Sequence, residues 1–164
     1  MSGFIFKFAV LVLGVVLAST LFLIPYINQI SNVQRKSEIK IRDQIIVAEV
    51  VKSERDMARG LSGRDEIGLN EGMLFLFDEA AIHPFWMKGM RFAIDIIWIR
   101  DEKIVDVTEN IAPEPDKTDA ELALYYPSEP VNKVLELRAG RVRLLRAAEG
   151  DLVKVRPLIP GITK

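Results

Sequence analysis

Hydrophobic and polar positions follow several different periods along this chain, and the first thirty residues follow none. Residues 8–27 read FAVLVLGVVLASTLFLIPYI, without a single charge. At about 1.5 Å per residue, a helix of that length matches the hydrocarbon thickness of a bilayer. The segment predicts one N-terminal transmembrane helix, because it is apolar on every face and lacks the polar stripe of a helix lying on a small soluble domain. Ser19 and Thr20 can return their hydroxyls to backbone carbonyls, and Pro25 with Tyr26 suits an interfacial end. Cleavage after Ala18 would leave LFLIPYI as an awkward apolar end, so an uncleaved signal anchor is expected.

Residues 29–44 are polar, with apolar positions too sparse to close a core, and predict a tether. Within them Ile39 and Ile41 alternate with charges and could begin a strand. The run IIVAEVV from Ile45 predicts a buried strand. Ser53 as N-cap, Glu54 and Asp56 in the first turn and Gly60 at the end predict a short helix. GMLFLF (72–77) and PFWMK (84–88) predict two strands joined by DEAAIH. AIDIIWIR (93–100) and IVDVTENI (104–111) predict a hairpin across Asp101-Glu102-Lys103. Residues 112–130 carry Pro113, Pro115, Pro127 and Pro130 and predict a long surface loop. A strand at 134–137, a short helix within 139–148 and a closing strand at 152–155 complete the chain. The pattern predicts a mainly β domain with short helices over 45–157, a small antiparallel sandwich or partly closed barrel. It stands behind an anchor at 1–28 and leaves a tail at 158–164.

Charge and composition narrow what such a domain does. Across 164 residues, 22 Lys and Arg face 23 Asp and Glu for a net charge of −1, so no overall field recruits nucleic acid. Lys7 is the one charged side chain among the first thirty. Arg35, Lys36, Lys40 and Arg42 lie just beyond the span, and a literal count of them would hold the domain in the cytoplasm. A signal anchor at the extreme N-terminus, however, commonly exports the domain behind it. The expectation is a single-pass protein of the cell membrane with its domain outside the cytoplasm. The absence of cysteine removes thiol nucleophiles, disulfides and cysteine-zinc sites, and the single histidine, His83, removes multi-histidine metal sites. No metal or cofactor is implied.

Candidate chemistry gathers around a few polar residues. Alternation places Asp95 in a row with Ala93, Ile97 and Ile99, where a carboxylate needs partners such as Lys88, Arg59 or Arg64. It is either a ligand-binding or proton-transferring acid or, the favoured reading, a structural ion pair or a cap for loop amides. Trp86 and Lys88 share one strand face and could form a stacking platform, although core packing of Trp86 is the favoured account. Arg59 and Arg64 flank a glycine-rich turn and could clamp an anion, or could satisfy the loop's own groups, including Glu71. His83 beside Pro84 reads as exposed and incidental. The acids from Asp106 to Glu121 lack the spacing of a calcium loop.

The ordered blocks RGLSGR (59–64), EGMLFLF (71–77), FWMKGM (85–90), AIDIIWI (93–99), AP (112–113), VLELRAG (134–140) and GD (150–151) resemble the domain-of-unknown-function 192 family. The resemblance spans about residues 45–155 and implies a compact, mainly β domain, often exported or membrane-tethered, with no established activity. It implies motif positions at Arg59, Gly60, Leu61, Arg64, Glu71, Gly72, Met73, Trp86, Met87, Lys88, Asp95, Pro113, Glu136 and Gly140. Gly89-Met90 stands where an Asn-Thr pair is typical of the family, and Ser62-Gly63 where a Met and an aromatic are more usual. The leading expectation is a non-enzymatic module that binds an envelope ligand or protein partner through Arg59, Arg64, Trp86, Lys88 and Asp95. A hydrolase of an envelope polymer using Asp95 or Glu71 as acid or base is the second, and a structural subunit of a membrane complex the third.

Overall fold

The computed structural model describes residues 36–158. The expected anchor, most of the tether and the tail beyond Leu158 lie outside the described residues. Strand β1 is Lys36–Ile41 and β2 is Gln44–Val51, an antiparallel hairpin. Alternation prevails over polarity in β1: Ser37, Ile39 and Ile41 are buried while Lys36 and Lys40 are exposed, so the strand begins inside the polar stretch.

Helix α1, Glu54–Arg59, starts as its cap predicts, with Ser53 Oγ accepting from Asp56 N at 3.2 Å. It stops at Gly60, whose N–H donates to Asp56 O at 2.9 Å. Strand β3, Glu71–Ala81, then pairs parallel to β2. This corrects the expected antiparallel architecture. The helix and loop between β2 and β3 form a crossover long enough to return the chain to the same end, which a tight turn cannot do.

Strands β4, Ile94–Arg100, and β5, Lys103–Ile111, form the predicted hairpin, and β6, Val131–Arg138, enters between β4 and β3. Helix α2, Arg141–Leu145, and β7, Val153–Pro157, complete the order β5-β4-β6-β3-β2-β1-β7. This is one mixed seven-stranded sheet and not a two-sheet sandwich. It does not close, although a bridge between Lys103 and Leu152 ties the ends of its outer strands. The expected strand at 84–88 is absent. Pro84 has no N–H to give a ladder, and the segment makes one bridge, Phe85 to Tyr125, before crossing the sheet face.

Register sorts side chains onto two faces. The row Asp95, Leu137, Gly72, Ala48, Ser37 runs across β4, β6, β3, β2 and β1. Its neighbour is the row Ile96, Glu136, Met73, Glu49, Lys36. Adjacent rows point to opposite faces. On the first face Ile39, Leu74, Ile97, Leu135 and Leu137 pack under α2 through Val142 and Leu145. On the second, Met73, Phe75, Ile96 and Trp98 are covered by Leu61 and Ile67 after α1 and by Phe85, Met87 and Met90. A Cβ at Gly72 would come within 2.8 Å of Glu136 O, so glycine is what allows β3 and β6 to approach there.

Candidate functional site

Asp95 is fully buried on the first face, under α2. Its Oδ2 accepts from Val142 N at 2.8 Å and its Oδ1 from Asn110 N at 2.9 Å. Both oxygens therefore cap backbone amides, one of them in the first turn of α2, and none of Lys88, Arg59 or Arg64 pairs with it. Asp95 is separated by the thickness of the sheet from everything on the second face.

The second face holds a cavity of about 270 Å³ between α1, β3, β6 and the 83–90 segment. Phe75, Leu61 and Phe85 wall it, with the Phe75 and Phe85 rings edge to face at 4.9 Å. Arg59, Trp86 and Lys88 line its exposed mouth. Glu136 lies at its inner end, 5% exposed, with Oε2 buried and without a hydrogen-bond partner among the described residues. The nearest candidate partner is already occupied, since Arg64 binds Glu49 through two parallel contacts of 2.8 Å. Arg64 holds Glu49 below the usual carboxylate range. Burial pushes the Glu136 carboxyl up to about 8, and the opposing pull of the Arg64 charge is the smaller effect. Glu136 is thus mainly a neutral acid at pH 7, able both to donate and to accept.

His83 lines the same cavity, its ring stacked on Phe77 at 3.6 Å, and its Nε2 is also buried without a partner among the described residues. Gly60 shapes the inner end: a Cβ there would stand 3.5 Å from Phe75 Cζ and 3.9 Å from Glu136 Oε2.

The structure brings together three of the six residues expected at a site, Arg59, Trp86 and Lys88. Trp86 is 46% exposed, which corrects its expected core packing; Phe85 and Met87 take the core instead, with Trp98 beneath them. Lys88 pairs with Asp119. Arg64 sits beside the cavity on Glu49. Glu71 opens β3 outside the cavity, with Oε2 accepting from Gly68 N at 3.0 Å. His83 is not incidental, because the chain beyond β3 folds its ring onto Phe77. Among the described residues no three acids or imidazoles converge as a metal site. The loop acids serve local bonds, such as Glu121 with Thr118 N at 3.0 Å. Glu136, a motif position implied by the family resemblance, carried no site role in its own pattern, because a carboxylate in line with Val134 on the VLEL alternation shows its burial only once both faces of β6 are covered.

Residues 36–155 match the DUF192 family, described as Uncharacterized ACR. Two solved structures are similar. One is a candidate transcription regulator from Sinorhizobium meliloti, 28% identical, with a TM-score of 0.67 over 73% of this chain and 93% of that one. The other is a protein of unknown function from Novosphingobium aromaticivorans, 27% identical, with a TM-score of 0.62 over 73% of this chain and 83% of its own. No curated protein matches the chain.

Proposed function

The chain belongs to the DUF192 family, whose members are uncharacterised, and from that premise we propose that it is a ligand-capture domain working through the cavity on the second face. One observation carries this reading: an apolar, aromatic-walled cavity ends in an unpartnered buried carboxyl and opens past an arginine. Ligand sites of this kind combine apolar walls with a few convergent polar groups. The volume suits a single-ring or short-chain molecule. Arg59 makes no ion pair among the described residues, so a carboxylate on the ligand has a cation waiting at the mouth. Trp86 offers a stacking face beside it.

Capture is favoured over turnover because the lining offers no Ser, Thr or Cys nucleophile. A hydrolase resting on Asp95 or Glu71 has little support, since the first is consumed as a cap and the second stands outside the cavity lining, accepting from Gly68 N. The net charge of −1 gives no basic field for nucleic acid.

The apolar stretch 8–27 supports a single-pass anchor, and a signal anchor ahead of its domain favours export to the outer side of the cell membrane, against the pull of the basic residues that follow the span. The ligand would then be an envelope or periplasmic small molecule. A protein partner is a second reading, favoured by the exposed Trp86, Leu124 and Tyr126 around the bridge of Phe85 to Tyr125.

Thermal shift of the full chain in detergent, against a panel of substituted benzoates, tests capture. At least one probe should raise the midpoint. Arg59→Ala or Trp86→Ala should weaken that probe about tenfold while leaving the ligand-free midpoint in place. No shift with any probe, or equal shifts in both variants, would reject the reading.

A further inference from the structure

The cavity has two unlike ends. At the mouth stand exposed cations and an indole, while the inner end is a carboxyl with nothing to bond. The charged and titratable groups facing Glu136 all have other engagements or stand too far out. From β2 comes Glu49, paired through both its oxygens with Arg64 of the loop after α1. From the end of α1 comes Arg59, exposed at the mouth. From the 83–90 segment come His83, stacked on Phe77, and Lys88, turned to Asp119. In the sheet itself, Glu136 has Met73 on one side and Ile96 on the other. No group among the described residues supplies Oε2 with a partner. An unmade hydrogen bond at a buried polar group is a standing cost to the folded protein, and it is recovered only when something entering the cavity completes it.

Resting on the capture reading above, we infer that Glu136 recognises the buried end of the ligand by donating its carboxyl proton to an acceptor oxygen, so that the cavity selects small aromatic carboxylates carrying a carbonyl opposite the carboxylate. The ligand's own carboxylate rests against Arg59, its ring lies between Phe75, Phe85 and Trp86, and its carbonyl meets Glu136. The raised affinity of Glu136 for its proton, about 8 on the pKa scale through burial, keeps the donor in place at neutral pH. Ionising it turns the donor into a second anion facing the ligand's carbonyl. Recognition of the inner end is therefore lost as pH rises through that value. Arginine stays charged throughout, so retention at the mouth persists.

The test compares 4-acetylbenzoate with 4-isopropylbenzoate, which has the same outline and no acceptor. Titration calorimetry on the full chain in detergent at pH 7 should show the acetyl probe binding about tenfold more tightly. At pH 9.5, where roughly 3% of Glu136 keeps its proton if its pKa is about 8, the two probes should bind alike. In E136Q, which keeps an N–H donor but cannot ionise, the preference should survive at both pH values. His83 and Lys88 are intact in that variant, so a preference that still varies with pH there would assign the titration to one of them and overturn the inference. Equal binding of the two probes at pH 7, or an unchanged ratio at pH 9.5, would overturn it in the wild-type protein alone. Both of those outcomes leave capture standing. If neither probe binds at either pH, the cavity reading falls together with this one.

Discussion

Gly60 ends α1 and floors the cavity with a backbone at φ +51°, ψ −134°, a combination open to glycine and strained for other residues. Gly60→Ala is expected to cost about 1–3 kcal/mol of stability in urea denaturation. Because its Cβ would meet Phe75 at an ordinary contact distance of 3.5 Å, the loss comes from the backbone and not from a clash. Asp95 offers a contrast on the opposite face. Asp95→Asn keeps one acceptor for two amides, so one N–H is left buried and unpaired, at about 1–3 kcal/mol. Benzoate binding should not change, and an effect on it would mean that the two faces communicate. Glu136 gives stability a pH slope. Its folded value of about 8 stands above the ordinary glutamate value of 4.5, so the folded state binds the extra proton between them and stability falls as pH rises through that window. The cost is absent below about pH 4.5 and levels off above about 8. E136Q should remove that slope, gaining up to a few kcal/mol over wild type at the alkaline end, as denaturation across pH would show.

At the scale of elements, the loop after α1 is tied to β2 by an ion pair, Glu49 with Arg64. Both side chains are about a third exposed, so solvent screens the interaction. Arg64→Ala should cost up to about 1 kcal/mol, less in high salt. It should also raise the Glu136 pKa further, because the Arg64 charge is what opposes burial there; carboxyl titration by NMR would read the change. The β4–β5 hairpin and α1 were legible because their signals are local: a β-branched and aromatic run in IDIIWIR, a polar turn after it, a serine cap and a terminal glycine. The parallel pair was not, since nothing in IIVAEVV or GMLFLF states which neighbour each strand takes. Nor was the path of 84–90, where PFWMK alternates like a strand while Pro84 denies it a ladder, so its apolar side chains cover the sheet instead of joining it.

For the whole molecule, one sheet separates two tasks. The face under α2 is a closed apolar core with Asp95 sealed inside it, whereas the other face is roofed by loops that leave a cavity. Residues 36–158 carry both cores, so deleting residues 1–30 should release the protein from the membrane pellet with its thermal midpoint little changed. Carbonate washing and calorimetry would check both halves of that expectation. Full-length protein recovered in the aqueous fraction would argue against the anchor.

The order of hydrophobic and polar residues was enough to establish a charge-free stretch of bilayer length and a mainly β domain behind it. Local periodicity and blocks of neighbouring residues carry that information, and a linear chain displays both directly. Which acid matters was decided only by tertiary structure. Asp95 and Glu136 both sit among apolar neighbours on alternating strands, and their surroundings in sequence are nearly equivalent. Pairing register gave one of them two backbone amides and spent the nearest arginine on Glu49, leaving the other without a partner, because hydrogen-bond satisfaction depends on groups far apart in the chain.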